Sequence, residues 1–396
     1  MFEWVIDNKW VLLFYLILIV IIYANRKKFE FQAKFIAMFK TKLGLKLMDK
    51  ISQKYREYVK LFGYIGVGIG FIGMLFIFGT LVYLLFGLIV TPETTQGVSL
   101  VIPGFKMAGS DFRFPLVYGL LSIFVIATIH ELAHGIVARA WRIPILSSGI
   151  VFFGPIIGAF VEPDDKKMSK RPDIEQYSVF AAGPFINILF AFLLLAMLLV
   201  SLPFINNAFY ENVIITDVAI NSPAYIAGWP SNSILTDIDN TEITDIKDLS
   251  YALSEIESGD NLNVKYIHEN KEYQKTIEIG EKDSRPYIGI YAQSDIKYKT
   301  GLGNIWFKIT SWIFGDSRKS GLASWGFLSW LMNLSLAIGL INLLPLGPTD
   351  GGRMIFLATQ RIYKQKGAKI YSYVSFISLM LLLACLLLSY AKPLFM

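Results

Sequence analysis

His130 and His134 stand four residues apart with Glu131 beside the first, inside a run of otherwise apolar residues, and they are two of only three histidines in the chain. On a helix, positions i and i+4 share a face one turn apart. Both imidazoles of His130-Glu131-Leu132-Ala133-His134 can therefore reach one tetrahedral zinc at roughly 2.0–2.1 Å. Glu131 then projects beside the ion. In such an arrangement the carboxylate is no ligand; it takes a proton from a water that the metal acidifies and passes it to a leaving amine. The apolar setting strengthens this reading. A carboxylate at mid-helix in a bilayer costs about 2.5–3.5 kcal/mol on insertion scales, so a Glu flanked by two His requires compensating partners, and a zinc ion (Zn2+) compensates best.

Zinc hydrolases keep three protein ligands and leave the fourth position to water. The candidate for the third is Asp350, in Asn342-Leu343-Leu344-Pro345-Leu346-Gly347-Pro348-Thr349-Asp350-Gly351-Gly352, where Pro and Gly interrupt an apolar run. Broken helices within a membrane usually line a site. The alternative for this segment is a helix end with a glycine cap and a solvated Asp; the paired histidines favour the ligand.

These residues must be held by membrane helices. Hydrophobic residues make up 54% of the 396-residue chain and charged residues 17%, too little polar surface for an ordinary soluble protein. Runs able to cross an oil layer of about 30 Å, which needs roughly 20 helical residues, fall at 10–25, 62–91, 115–140, 175–203, 322–346 and 367–390, giving about six transmembrane helices. The first lacks a cleavage site before Arg26, Lys27 and Lys28 and reads as a retained anchor, with a half-inserted interfacial helix as the alternative. Counted from Pro115 at about 1.5 Å per residue, His130 lies roughly 23 Å along its helix.

Lys and Arg crowd 26–60, the run Lys166, Lys167, Lys170, Arg171, and the group Arg353, Arg361, Lys364, Lys366, Lys369. The positive-inside rule makes those segments cytoplasmic. The reaction centre then falls in the cytoplasmic half of the bilayer and 204–321 on the opposite side. Residues 204–300 carry 16 Asp and Glu against 8 Lys and Arg, while the whole chain has a net charge of +6. The basic balance is thus one of membrane topology and points to no nucleic-acid partner. The single cysteine, Cys385, excludes a disulfide framework and a cysteine metal site.

Six stretches follow. Residues 1–61 form an anchor and a basic amphipathic segment, whose 27–60 portion reads as a helix on an anionic leaflet or as a solvated helical linker. Residues 62–114 hold the second span, whose Gly66 and Gly70, with Gly63, Gly68, Gly73 and Gly79 around them, allow close helix packing, and a loop. Residues 115–203 hold the motif helix, the β-branched stretch 148–161 around Gly154 and Pro155, and a further span. Residues 204–300 form a small α+β domain with strands near 213–218, 262–267 and 273–279 and a helix near 246–256. Residues 301–321 read as an interfacial amphipathic segment, and 322–396 as the Asp350 segment with a last span.

The two distant motifs, in this order, resemble the site-2 protease family of intramembrane metalloproteases. That resemblance implies that His130, His134 and Asp350 bind one zinc ion, that Glu131 is the general base and acid, and that spans three, four and five form a three-helix catalytic core. Gly183-Pro184-Phe185-Ile186-Asn187 resembles the family's Gly-Pro-x-x-Asn. Its amide can bond a substrate or a developing oxyanion, or merely a neighbouring helix; Asn342 has the same two readings. The stretch 148–161 resembles the family's membrane-embedded β-hairpin, whose edge, near Gly154 and Pro155, can take substrate as an added strand or simply fill the bundle. Residues 212–293 resemble a PDZ domain, notably Asn221-Ser222-Pro223-Ala224-Tyr225-Ile226-Ala227-Gly228-Trp229, which would sample a peptide or the outer part of a substrate. The sequence departs from the family pattern at Asn232-Ser233 in the PDZ turn, at Thr349 where Leu is common, and at Ala337.

The implied fold is a polytopic α-helical membrane protein with an inserted, extracytoplasmic PDZ-like domain in a prokaryotic plasma membrane. The implied activity is hydrolysis of single-span membrane-protein substrates within the lipid bilayer. A non-proteolytic PDZ-containing adaptor and a metal transporter compete. The adaptor has no use for a general base beside two ligands, and a transporter would need more than one cluster of intramembrane acids or histidines.

Overall fold

The computed structural model describes residues 6, 9–32, 36–91, 98–99, 101–105, 114–153, 156–254, 256–282, 285–297, 300–316, 318–319 and 321–391. Among them the chain forms two compact units, 1–195 with 329–396, and 196–328.

Most of the first unit is helical. It contains α1 Lys9–Ala24, α2 Leu45–Lys54, α3 Arg56–Val90, α4 Leu116–Ala140, and the start of α5 Asp173–Phe209. After the insertion come α6 Phe327–Ile341, α7 Asp350–Tyr363 and α8 Gly367–Ala391. Among the described residues, α3, α4, α5 and the continuous stretch Asp350–Ala391 are long and apolar enough to cross a membrane, whereas Leu12–Ala24 and Phe327–Ile341 are shorter apolar helices. Each of the six expected runs thus contains a helix, but among the described residues four helices, not six, have the full spanning length.

Close approach is the role of the glycines in α3. Gly63 lies against Ser178, Gly66 against Phe185 and Gly70 against Ala181, all of α5, and Gly73 lies against Leu343. These positions fall at i, i+3, i+7 and i+10 and make one face. Gly68 and Gly79, off that face, have no neighbour there within 4 Å. The core of this unit includes Val137, Ala138, Ile143, Val179, Ala181, Leu343 and Met354. Cys385 is fully buried, with its thiol directed at the Leu81 carbonyl at 3.3 Å, so it packs and does not face lipid.

The basic N-terminal segment differs from expectation. Among its described residues α2 and the first turn of α3 are helical, while Glu30–Gln32 (β1) and Ile36–Thr41 (β2) are strands. They extend the hairpin formed by Ile145–Phe153 (β3) and Ile156–Pro163 (β4) into an antiparallel sheet of order β1-β2-β3-β4. An unpaired β3 edge would leave its backbone groups without partners. β2 covers that edge in register from Ile36 opposite Phe153 to Thr41 opposite Ser148. Phe29 meets Phe39 and Phe152 at ring distances of 5.3 and 6.1 Å, closing the apolar face. Gly154 and Pro155 lie outside the described residues.

The second unit is β-rich. Its main sheet runs Ile290–Ile296 (β9), Tyr210–Val218 (β5), Ser233–Ile238 (β6), Asn261–His268 (β7) and Lys271–Glu278 (β8), every pair antiparallel. Val213, Ile215, Leu235, Leu262, Val264 and Ile277 fill its core with Trp229 and with Leu249 from the helix Ile246–Ser254. The stretches expected as strands, near 213–218, 262–267 and 273–279, coincide with β5, β7 and β8. The expected amphipathic segment forms a helix over Gly301–Phe314.

Candidate metal centre

Helix α4 carries His130 and His134 one turn apart, and both rings are buried. Their Nε2 atoms lie 3.1 Å apart. Asp350 Oδ2 approaches them at 3.2 and 3.4 Å. Among the described residues, these three form a group whose candidate donor atoms all lie within 4.8 Å of one another.

Side-chain orientation is imposed from α5. His134 Nδ1 is 2.6 Å from the Val179 carbonyl oxygen. A carbonyl only accepts, so Nδ1 carries the proton and Nε2 presents a lone pair to the centre. Asn187 places its amide 3.0 Å from His130 Nδ1 and is fully buried, while its other amide atom has no partner among the described residues. Exchanging the amide oxygen and nitrogen lets the oxygen accept from Nδ1–H, which leaves His130 Nε2 as a donor of electrons too. Two imidazole lone pairs and a carboxylate then converge with no proton among them, a donor set that calls for a cation and suits zinc. The Asn187 amide, expected to meet substrate, an oxyanion or a neighbouring helix, lies against a histidine ring. Its backbone carbonyl accepts the Ser335 hydroxyl of α6 at 2.8 Å.

Such convergence needs a gap in α5. A side-chain carbon at Gly183 would collide with Nε2 of both histidines. Glycine at this position is a requirement of close approach, since its backbone is ordinary helix.

Asp350 lies beyond the expected break and beside the histidines, as the ligand reading has it, but not at a helix end as the alternative had it. It does not end a helix but opens α7 at its first position, capped by Thr349. Thr349 Oγ1 accepts from Gly352 N–H at 3.0 Å and donates to the Leu344 carbonyl at 2.5 Å, tying the cap to the chain break. Gly351 N–H donates to the Asn342 carbonyl at 2.8 Å. The carbonyls of Leu343 and Leu346 stand where side chains at Gly351 and Gly352 would be, so only glycine permits this turn. The unusual Thr349 thus has a local reason.

Glu131 accepts from the backbone N–H of Val161 in β4 through Oε2 at 2.9 Å. Around it lies a cavity of about 560 Å³, lined among others by His130, His134, Asn342, Pro348, Asp350 and Arg353. Asn342 therefore borders the space beside the metal candidates. Val161 and Val179 act through main-chain atoms and were not singled out as site residues from the sequence, because a backbone partner carries no residue-type signal. Arg353, read only as topology, lines the cavity and stacks over Phe180 at 5.7 Å. The third histidine, His268, belongs to β7 of the second unit.

Comparison with known proteins adds relatives to this geometry. The model of a family described as Peptidase family M50 matches residues 118–384. An uncharacterized protein of Methanocaldococcus jannaschii is 29% identical over 189 residues, 46% of this chain and 48% of the relative. A Borreliella burgdorferi protein provisionally named a zinc metalloprotease is 26% identical over 138 residues, 33% of this chain and 31% of the relative. The aligned part thus spans about half or less of these relatives. Among solved structures, the PDZ domain of an SdrC-like protein from Listeria monocytogenes aligns with 21% of this chain and 88% of that domain, at 24% identity and a TM-score of 0.20.

Proposed function

We propose, from the premise that the chain belongs to peptidase family M50, that it is a zinc-dependent endopeptidase which hydrolyses peptide bonds in or near the membrane-spanning segments of other proteins. The single observation that carries this reading is the convergence of His130, His134 and Asp350 on one point, with Glu131 on the adjoining cavity wall. The four apolar helices support a membrane setting.

His130, His134 and Asp350 hold the ion, which when bound supplies acidified water and a positive charge near the scissile carbonyl. Glu131 is the proton carrier. Its bond from Val161 N–H occupies one carboxylate oxygen and leaves the other for a water. Asn187 and Val179 keep the two rings in the metal-binding tautomer, and Asn342 can donate to substrate from the cavity wall.

Among the described residues, β4 is an edge strand of its sheet, with α4 beside it. Because Val161 N–H turns away from β3 toward Glu131, period-two alternation turns the backbone groups of Ala159 and Ile157 the same way. An extended substrate segment can pair along this edge and so arrive beside the general base. That geometry favours substrates that unwind locally, since a helical peptide bond is shielded by its own hydrogen bonds. Single-span proteins fit best, and the β-rich unit, read as a PDZ-like module outside the cytoplasm, would engage their outer segments. The active site then lies in the cytoplasmic half of a prokaryotic plasma membrane.

The test pairs Glu131→Gln with Asp350→Ala in the full chain reconstituted with a single-span reporter. Glu131→Gln should keep zinc near one ion per chain and lower cleavage by about 10²–10⁴-fold; Asp350→Ala should lose the metal. Wild-type cleavage by either variant would reject the proposal.

A further inference from the structure

The Schellman turn that ends α4 holds an unusual residue. Ile143 N–H bonds to the Ala138 carbonyl and Arg142 N–H to the Arg139 carbonyl, at 2.8 and 2.9 Å. The left-handed position of such a turn normally takes glycine, but here it is Arg142, with φ of 59°. An arginine held in a disfavoured backbone conformation invites a use for its side chain.

That side chain lines a cavity of about 430 Å³ together with Arg56, Arg139, Asp49, Ser52 and Gln53. Three guanidinium groups face one carboxylate there. Asp49 pairs with Arg139 Nε at 3.2 Å, yet the buried Nε makes no aligned hydrogen bond. Arg56 spends its Nε on the Ala140 carbonyl at 3.0 Å, which leaves its terminal nitrogens to other partners. Positive-inside topology alone would scatter such residues over exposed helix ends; here they converge on one space. The matching ligand is a phosphate group, which guanidinium groups bind with paired, charge-assisted hydrogen bonds.

A second cavity, of about 390 Å³, says what the phosphate is attached to. It is apolar and is lined by Tyr58 and Phe62 of α3 and by Ile129, Leu132 and Ile136 of α4, among others. Arg139, Ile136, Leu132 and Ile129 follow one another at spacings of three and four, so the groove continues along the α4 stripe that begins at the arginine. Trp141, with Lys60 over its ring at 5.2 Å and Tyr64 against its edge at 5.6 Å, marks the level of a membrane interface.

We propose that the seam where α2, α3 and α4 meet binds one anionic glycerophospholipid, with its phosphate among Arg56, Arg139 and Arg142 and an acyl chain along the groove. The site rests on the reading of α3 and α4 as membrane helices and is independent of proteolysis. The lipid would pack on the side of α4 opposite the metal candidates, against the turns that carry them.

Native mass spectrometry of the purified full chain, offered equal amounts of phosphatidylglycerol and phosphatidylcholine, tests the proposal. The wild type should retain one phosphatidylglycerol with about tenfold preference, because the three guanidinium groups that bind the phosphate repel the choline cation that phosphatidylcholine carries beside it. Arg142→Gly suits the left-handed position and should keep the thermal midpoint while lowering the preference to about twofold or less. Arg142→Asn, also at ease there, repeats the test if the glycine variant does not purify. Equal retention of the two lipids, or an unchanged preference in a folded variant, would overturn the site. Displacement of the lipid by millimolar inorganic phosphate would overturn the lipid as its occupant. Neither result bears on Glu131 or cleavage, so failure here is separable from failure of the protease reading.

Discussion

Replacing Gly183 with Ala adds one methyl group at the point where α5 passes the two histidines. The new carbon would sit 2.5 Å from His130 Nε2 and 2.6 Å from His130 Cε1, and would also strike His134 Nε2. Ordinary van der Waals contact begins near 3.4 Å, so the rings must retreat by about 1 Å, roughly five times the ±0.2 Å tolerance of zinc–nitrogen bonds. Displacements of that size cost about 10²-fold in positioned chemistry, and changes around metal ligands cost 10–100-fold in affinity. Gly183→Ala should therefore weaken zinc binding by about 100-fold, near 2.7 kcal/mol. Alanine is the better helix former by about 0.5–1 kcal/mol, which limits any loss of helix stability. The assay is competition against a chromogenic zinc chelator, followed by reporter cleavage at saturating zinc. Gly68→Ala, with open space at that position, is the control and should bind zinc as the wild type does. Wild-type zinc affinity in folded Gly183→Ala would refute the placement of the histidines against α5.

Other perturbations probe the supports. Thr349→Ala removes the α7 cap and the hydroxyl's contacts with the Leu344 and Leu346 carbonyls, so it should lower stability by about 1 kcal/mol and weaken zinc binding severalfold, while Thr349→Ser restores both; thermal unfolding and chelator titration measure them. In the second unit, Asp316 accepts from the Arg318 guanidinium at 2.9 and 2.7 Å and from the Tyr210 hydroxyl at 3.1 Å. Burial pushes its carboxyl upward, but Arg318 and Tyr210 outweigh that and hold it below the usual carboxylate range. A depressed carboxyl stabilises the fold at and above its ordinary range, and this is lost as pH falls below about 4. Hydrogen-exchange protection of Tyr210–Val218, taken relative to the intrinsic rate at each pH, should accordingly fall in that acid window, and Asp316→Asn should show the lower protection already at neutral pH.

Much of the candidate site was legible without coordinates because its logic is local. Four residues of separation put His130 and His134 on one helix face whatever surrounds them, and an apolar run makes an unpaired Glu131 costly anywhere in a bilayer. Asp350 could be selected because intramembrane acids are rare and Pro and Gly break the helix before it. The β-rich stretches of the inserted unit are likewise set by neighbours in sequence. Tertiary structure decided what depends on partners far along the chain. The 27–60 segment has enough apolar residues for a helix or for strands, and pairing with the β3 edge is what made Ile36–Thr41 a strand. Asn187 could serve substrate or structure, and only folding set its amide against His130. Thr349 looked like a departure from pattern until Gly352 N–H and the Leu344 carbonyl reached it. The tautomers of the two rings rest on a carbonyl and an amide about 45 and 57 residues away. Spacing specifies which side chains share a face, but a hydrogen bond between distant segments exists only once both are packed, and the proposed chemistry depends on both.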